Sequence, residues 1–279
     1  RDGIKVGEVA ASQADKSMLM SMMVGREIDA MFPQRRGILG DVVLRVCELQ
    51  PPELSAPVSF EVREGEIFGI AGLVGSGRSE LLRAIFGATR PRRGWVEVGG
   101  TRFVPSSPGH SMKLGLAMVP EDRKLQGLIM TMSVCDNVVL NVIARLAVWI
   151  LRRRPRERRL ALELIERVGV RAASIDEELM YLSGGNQQKA LLAKWLACEP
   201  RVLLLDEPTR GIDVGAKHDI YQLICDLAER GLAVVMVSSE MEELIGLCDR
   251  VLVMNSGRPA GILEKGQLSE RSIMELAAA

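Results

Sequence analysis

Residues 72–80, GLVGSGRSE, constrain the fold of this chain more than any other stretch. An apolar segment, EIFGIAG (66–72), leads into it, and an apolar-faced segment, ELLRAIFG (80–87), leads out. A strand that ends in a glycine-rich turn and runs into a helix is the setting of a phosphate-binding loop. Gly72, Gly75 and Gly77 can take backbone angles closed to other residues, so successive N–H groups can turn inward around an anion. The N-terminus of the following helix adds partial positive charge. Ser79 offers a hydroxyl where such loops ligate Mg²⁺. The motif asks for Lys before that Ser, and this chain has Arg78. A guanidinium is planar and forked, whereas an ammonium is a compact point charge. The loop is therefore expected to meet phosphate with its competence for hydrolysis altered. A glycine turn alone is ambiguous, because tight strand-to-helix turns also carry Gly for structural reasons.

The 279 residues suffice for one large domain or two small ones. They are 47% hydrophobic and 26% charged, as in soluble globular proteins. Lys and Arg number 36 and Asp and Glu 36, a balance that argues against nucleic-acid binding. Cys47, Cys135, Cys198, Cys225 and Cys248 are scattered, odd in number and without a CxxC. That pattern points to a reducing compartment and to small buried apolar side chains. There is no signal peptide and no apolar run near 20 residues; 138–151 comes closest and is broken by Asn141 and Arg145. The first residue is Arg rather than Met, so the chain is expected to be a piece of something longer.

Residues 1–40 read as detached from the rest of the chain. They hold a strand end over 1–9, a short helix over 15–28 whose Met-rich face suits packing, and a linker over 31–40. A new domain is expected to open with strands over 41–49 and 56–65. The second alternates Val58, Phe60 and Val62 on one face and turns at Gly65. After the phosphate loop, 90–100 reads as a strand and its turn. A strand over 116–119 then gives way to a polar loop and to helices over 133–146, capped by Ser133, and 150–170. Six Arg fall within 152–159. They suit an anionic partner or membrane surface, but fit a solvated helix start better, with Pro155 in the first turn. Residues from about 120 to 180 thus form a helical insert in an α/β chain.

LMYLSGGNQQKALLAKWLACEP (179–200) opens a helix on a Gly-Gly turn, with Leu191, Leu192, Trp195 and Leu196 at helical spacing. Ser183, Gly184 and Gly185 at its N-terminus form a second candidate anion site. RVLLL (201–205) reads as a strand of a parallel sheet buried on both faces. It ends in two acids, Asp206 and Glu207. Ligands of open parallel sheets lie beyond the carboxyl ends of the strands, so both acids should face the phosphate loop. A cap or turn would need only one acid, and Pro208 interrupts any immediate helix. Helices over 214–230, 241–249 and 272–279 and strands over 232–240, 249–257 and 258–266 complete the chain.

The phosphate loop, LSGGNQQK and VLLLDEPT, in that order, resemble the nucleotide-binding domain of an ATP-binding-cassette (ABC) transporter. GLVGSGRSE, VPEDRKLQGL, LSGGNQQK, DEPTRGIDVGAK and VSSEMEEL together resemble the C-terminal cassette of tandem ATP-binding subunits of bacterial monosaccharide importers, of the ribose, galactose and xylose type. Residues 1–34 resemble the tail of a preceding N-terminal cassette. The resemblance implies an α/β fold of the P-loop NTPase kind over 41–279, with an antiparallel β subdomain and a helical subdomain at about 120–185. It implies ATP and Mg²⁺ as cofactors. Gly72, Gly75, Ser76, Gly77, Arg78, Ser79 and Glu80 would line the triphosphate, Asp206 and Ser79 would hold Mg²⁺, and Glu207 would polarise the attacking water. Glu121 stands where the family's Q-loop has Gln, Asp213 matches the D-loop acid, and Ser239 occupies the place of the switch His. Ser183, Gly184 and Gly185 match the signature that caps ATP held by the other cassette of a dimer. The implied partners are an N-terminal cassette, transmembrane permease subunits and an extracytoplasmic sugar-binding protein, either periplasmic or a lipoprotein, with no nucleic acid. The implied place is the cytoplasmic face of the cell membrane, as a peripheral protein.

The departures from the family fall on one side of the mechanism. Arg78 replaces Lys, Glu121 replaces Gln, and no His follows strand 232–237; His110 and His218 suit surface or turn roles. Glu121 would repel phosphate unless Mg²⁺ or Arg78 offsets it. No aromatic lies in 41–56 to stack adenine, which leaves Leu49 or Leu54 for the ring. The expected function is the C-terminal ATPase half of a sugar importer with a degenerate ATP site and an intact signature. A non-hydrolysing nucleotide sensor that regulates its partner is the alternative. A soluble cassette of translation or DNA repair is a third reading, against which the neutral charge speaks.

Overall fold

The computed structural model describes residues 4–14, 18, 22, 32, 33, 35, 37–147 and 151–278. Among the described residues, ten strands form two sheets. The larger is built on β3 (Ile67–Gly72), β6 (Leu116–Val119), β7 (Val202–Asp206), β8 (Ala233–Val237), β9 (Arg250–Asn255) and β10 (Arg258–Glu264). Its order is β10-β9-β3-β8-β7-β6, parallel throughout except for β10, which pairs antiparallel with β9. Every residue of β6, β7 and β8 is buried. These strands are apolar runs because both faces of the sheet are covered. Successive residues go to opposite cores. Leu203, Leu205, Val234 and Met236 join the core beneath the helices, and Val202, Leu204, Val235 and Val237 join the other.

That second core lies under the smaller, antiparallel sheet, of order β2-β1-β4-β5. It comprises β1 (Val42–Gln50), β2 (Val58–Arg63), β4 (Arg93–Val98) and β5 (Thr101–Phe103). The expected alternation holds in β2, where Val58, Phe60 and Val62 are buried and the residues between them exposed. Phe60 stacks on Phe68 of β3 at 4.8 Å between ring centroids, joining the two sheets. Leu204 is fully buried between them. Leu204→Ala is expected to cost about 3 kcal/mol of stability, read as an earlier urea midpoint at unchanged slope.

The nine described helices are α1 (Arg78–Phe86), α2 (Pro108–Lys113), α3 (Val134–Val139), α4 (Ile143–Leu146), α5 (Arg154–Val168), α6 (Gly184–Leu196), α7 (Val214–Glu229), α8 (Met241–Leu247) and α9 (Glu270–Ala278). Helices α3, α5 and α6 pack on one another and supply the helical part that the sequence implies. No described helix is long and apolar enough to cross a membrane.

Three expectations need correction. The helix over 133–146 breaks at a 3₁₀ turn, Leu140–Val142, where Val142 sits at φ −119°, ψ 7°. The β-branched residues Val138, Val139, Val142 and Ile143 resist a continuous helix. Residues 4–10 form no strand; without a neighbouring edge a strand leaves its backbone groups unpaired. Nor is all of 1–40 detached. Phe32 stacks on Tyr221 at 5.2 Å, and Arg35 pairs with Asp249 and donates to the Gly65 carbonyl. The Met-rich helix over 15–28 lies largely outside the described residues. The arginine run behaves as a helix start. Arg152 and Arg154 pair with Asp136 at 2.7 and 2.6 Å, Arg152 also binds buried Glu157, and Arg158 pairs with Asp176. All five cysteines are free thiols.

Candidate functional site

The glycine loop joins β3 to α1 at the carboxyl end of the parallel sheet. Gly72 has φ 152°, and a Cβ there would meet the Met254 carbonyl oxygen and Ser76 Oγ at 2.5 Å each. Only glycine lets the chain leave the strand so close to β9. Gly77, at φ 95°, caps α1 without any side-chain hydrogen bond. The helix N-terminus therefore stays open to a ligand oxygen. Nothing lies within 4 Å of a Cβ built on Gly75. Ser76 Oγ is buried without a hydrogen-bond partner, an orphaned polar atom of the kind a bound group satisfies.

The loop opens on a cleft of about 460 Å³ lined by residues 74–80, Arg83, Glu121, Glu207, Arg210 and Ser239. Ser79 Oγ donates to Asp206 Oδ1 at 2.8 Å. Burial pushes the Asp206 carboxyl above its ordinary range and Glu207 adds to that, while the Ser79 hydrogen bond opposes it. A hydroxyl beside a carboxylate is a hard-oxygen pair suited to Mg²⁺, which takes few protein ligands. No described cluster of three or more His, Cys, Asp or Glu could enclose an ion. The Ser79–Asp206 pair itself fits Mg²⁺ completed by ligand oxygens.

Arg78 is buried and turned across the cleft. Its Nη1 donates to the Ser238 carbonyl at 2.8 Å, and its Nη2 lies 3.9 Å from Glu207 Oε1. Burial lowers the guanidinium pKa, against the neighbouring Glu207, Asp206 and Glu80. Glu207 has φ 49°, a strained left-handed conformation for a non-glycine. Its nitrogen donates to the Val237 carbonyl, and its Oε2 accepts from both the nitrogen and Oγ of Ser239, each at 3.0 Å. Ser239 thus binds the carboxylate itself. Glu80 pairs with Arg83 at 2.6 Å.

The charge of Glu121 is offset by Arg210, with which it forms an ion pair, rather than by Arg78. Leu49 and Leu54 are both buried and offer no face to an adenine ring; a β-sheet core and the close approach of Leu54 to Gly77 claim them. His110 packs on Phe103 at 5.4 Å, a surface role.

The remaining expected site residues lie elsewhere. Ser183 caps α6, with its Oγ accepting from Asn186 Nδ2 at 3.0 Å, and Asp213 caps α7, accepting from the Ala216 nitrogen at 2.9 Å. Gly185 is buried, and a Cβ there would meet Ala216 at 2.6 Å, so α6 and α7 touch through it. Ser183, Gly184, Gly185 and Asp213 do not line the cleft of the glycine loop. Sequence reading missed Arg83, Arg210, Thr209, Ser238 and Glu243. Thr209 and Arg210 follow the acid pair within DEPTR, and Ser238 and Glu243 stand in VSSEMEEL. Position within those motifs is the signal that could have marked these four; Arg83, in ELLRAIFG, has no such signal.

A parallel sheet with a glycine loop, an adjacent hydroxyl and carboxylate and a second acid at the strand end defines a P-loop nucleotide-binding domain. Residues 56–210 match the ABC transporter family, and the chain belongs to it. It is 43% identical to the ribose import ATP-binding protein RbsA of Roseobacter denitrificans over 278 residues, which is 100% of this chain and 54% of that protein. It is 46% identical to the arabinose import ATP-binding protein AraG 2 of Burkholderia ambifaria over 281 residues, 99% of this chain and 54% of that protein. The chain therefore spans about half the length of these relatives. Among solved structures it resembles the ADP conformation of MJ1267, an ATP-binding cassette of an ABC transporter. The TM-score is 0.73 at 20% identity, with 85% of this chain and 99% of that one covered. This likeness speaks for the fold alone.

Proposed function

We propose that this chain is the C-terminal ATP-binding half of a tandem subunit that energises a monosaccharide importer, with an altered ATP site of its own and a working signature. One observation carries the reading: the exposed Ser183 turn lies outside the cleft of the chain's own phosphate loop. A signature that does not reach its own nucleotide is placed to complete the site of another cassette. The sugar-import names of the relatives, and the half-length match to them, support the transport role and the tandem arrangement. Residues 1–40 would then be the tail of the preceding cassette and its linker, and 41–279 this one, with its helical subdomain at about 120–185.

In this reading Gly72, Gly75, Ser76, Gly77, Arg78, Ser79 and Glu80 cradle ATP, and Ser79 and Asp206 hold Mg²⁺, which neutralises phosphate charge when bound. Glu207 orients water, and Glu121, Ser239 and Asp213 surround the γ-phosphate and the dimer contact. Ser183, Gly184 and Gly185 turn toward ATP held by the N-terminal cassette. Closing and opening of the two-cassette sandwich would drive permease subunits at the cytoplasmic face of the membrane, which admit sugar from an extracytoplasmic binding protein. Sugar uptake by the complete transporter carrying Ser183→Arg tests this: undiminished uptake overturns it. The sensor reading is favoured by one observation, the Arg78 guanidinium held against the Ser238 carbonyl beside Glu207. It would require nucleotide binding without any effect of Ser183 on turnover at the partner site.

A further inference from the structure

Glu243, on α8, has a carboxylate only 1% exposed, and no role assigned above uses it. A buried carboxylate persists when donors surround it, and here they come from three segments. Thr209 Oγ1, two residues after Glu207, donates to Oε1. Tyr221 OH, on α7, donates to the same oxygen at 2.6 Å, and Lys217 Nζ approaches it at 3.5 Å. Ser238 Oγ donates to Oε2 at 2.7 Å and itself accepts from the Glu240 nitrogen at 3.0 Å.

Two of these partners are the immediate supports of the acid that faces the cleft. The Ser238 carbonyl holds Arg78, the next residue, Ser239, gives Glu207 two hydrogen bonds, and Thr209 fixes the chain just beyond Glu207. Glu207 also keeps a strained φ of 49°, which persists only where surroundings over-determine it. We propose that Glu243 is a positioning residue that clamps the loop after β7 to the loop after β8, and so fixes Glu207 between Arg78 and Ser239. The catalytic consequence rests on the reading of Glu207 as the general base; the clamp itself does not.

Glutamine at 243 keeps the shape but presents an amide N–H to one of the hydroxyls that now donate, so one contact must reverse or break. The test is residue-resolved amide hydrogen exchange on this chain. For Glu243→Gln, exchange at Ser239 and Glu240 is expected to quicken about tenfold or more, with amides of β3 and β7 unchanged. Ser238→Ala, with Glu243 intact, is expected to do the same. Tyr221→Phe removes a donor that reaches Glu243 and Thr209 but not the loop after β8, and is expected to leave Ser239 unchanged. Unaltered exchange at Ser239 in Glu243→Gln overturns the clamp. So does acceleration shared equally by every amide, which would mark Glu243 as a stability residue only. A separate Glu207→Gln chain reports on the other reading: undiminished turnover by the assembled transporter would remove Glu207 as general base while the exchange result still decides the clamp.

Discussion

Ser183→Arg, placed in the proposed tandem protein, is expected to lower sugar uptake about 100-fold, the scale on which removing one preorganised donor to a reacting group acts. The serine side chain is exposed and its Oγ accepts from Asn186 Nδ2 at 3.0 Å. The same Oγ caps α6 by accepting from the Asn186 backbone nitrogen at 3.5 Å, and losing that cap costs the domain about 1 kcal/mol, too little to unfold it. The functional cost comes from elsewhere. In the proposed reading, a long guanidinium would fill the space that a phosphate edge of the partner's ATP occupies at the end of α6, and would keep the helix N-terminus from it. Ser183→Ala, which loses the cap but leaves the space, separates the two effects. Uptake is measured in proteoliposomes with thermal melting alongside, so that a folding defect is recognised. Uptake that falls equally in both variants would assign the loss to the cap rather than to the signature.

The second large effect is a gain. Arg78→Lys is expected to raise Mg·ATP turnover by this chain roughly tenfold, part of the range by which a freed general base acts. Arg78 now spans the cleft, bound to the Ser238 carbonyl and 3.9 Å from Glu207. That geometry directs part of its charge toward Glu207. A lysine ammonium is compact, carries its charge at the tip and cannot bridge in the planar fork of a guanidinium. The Ser238 carbonyl would lose one hydrogen bond, worth about 1 kcal/mol. Steady-state release of phosphate at saturating Mg·ATP reads the change. A rate equal to the parent chain would place the block at Ser239 or Glu121 instead.

Periodicity and local motif chemistry made most of this fold legible in the sequence. The alternation Val58, Phe60, Val62 gave the face of β2, the run RVLLL its burial on both sides, and Ser133 its helix cap, because each is decided by neighbours within a few residues. The loop between β3 and α1 was legible for the same reason, and so was the approach of Asp206 to Ser79, through the rule that parallel strands deliver ligands at their carboxyl ends. What escaped depends on pairs far apart in the chain. Glu121 reads as a misplaced charge until Arg210 is seen beside it. Glu243 lies in MEEL, where it reads as one more surface acid of a short helix, and only tertiary packing buries it among Thr209, Tyr221 and Ser238. Leu49 and Leu54 were free to stack a ring on paper, but the antiparallel sheet claims both for its core. Phe32 and Arg35, in a stretch that composition marks as linker, are held by Tyr221 and Asp249.

The most direct measurement is Mg·ATP binding and turnover by the isolated chain beside its Glu207→Gln variant. The expected result is that ATP binds while turnover stays at the level of the variant, as the proposed division between a donated signature and an altered own site requires. Turnover well above that of Glu207→Gln would contradict this, and would make the Arg78 site a working ATPase in its own right.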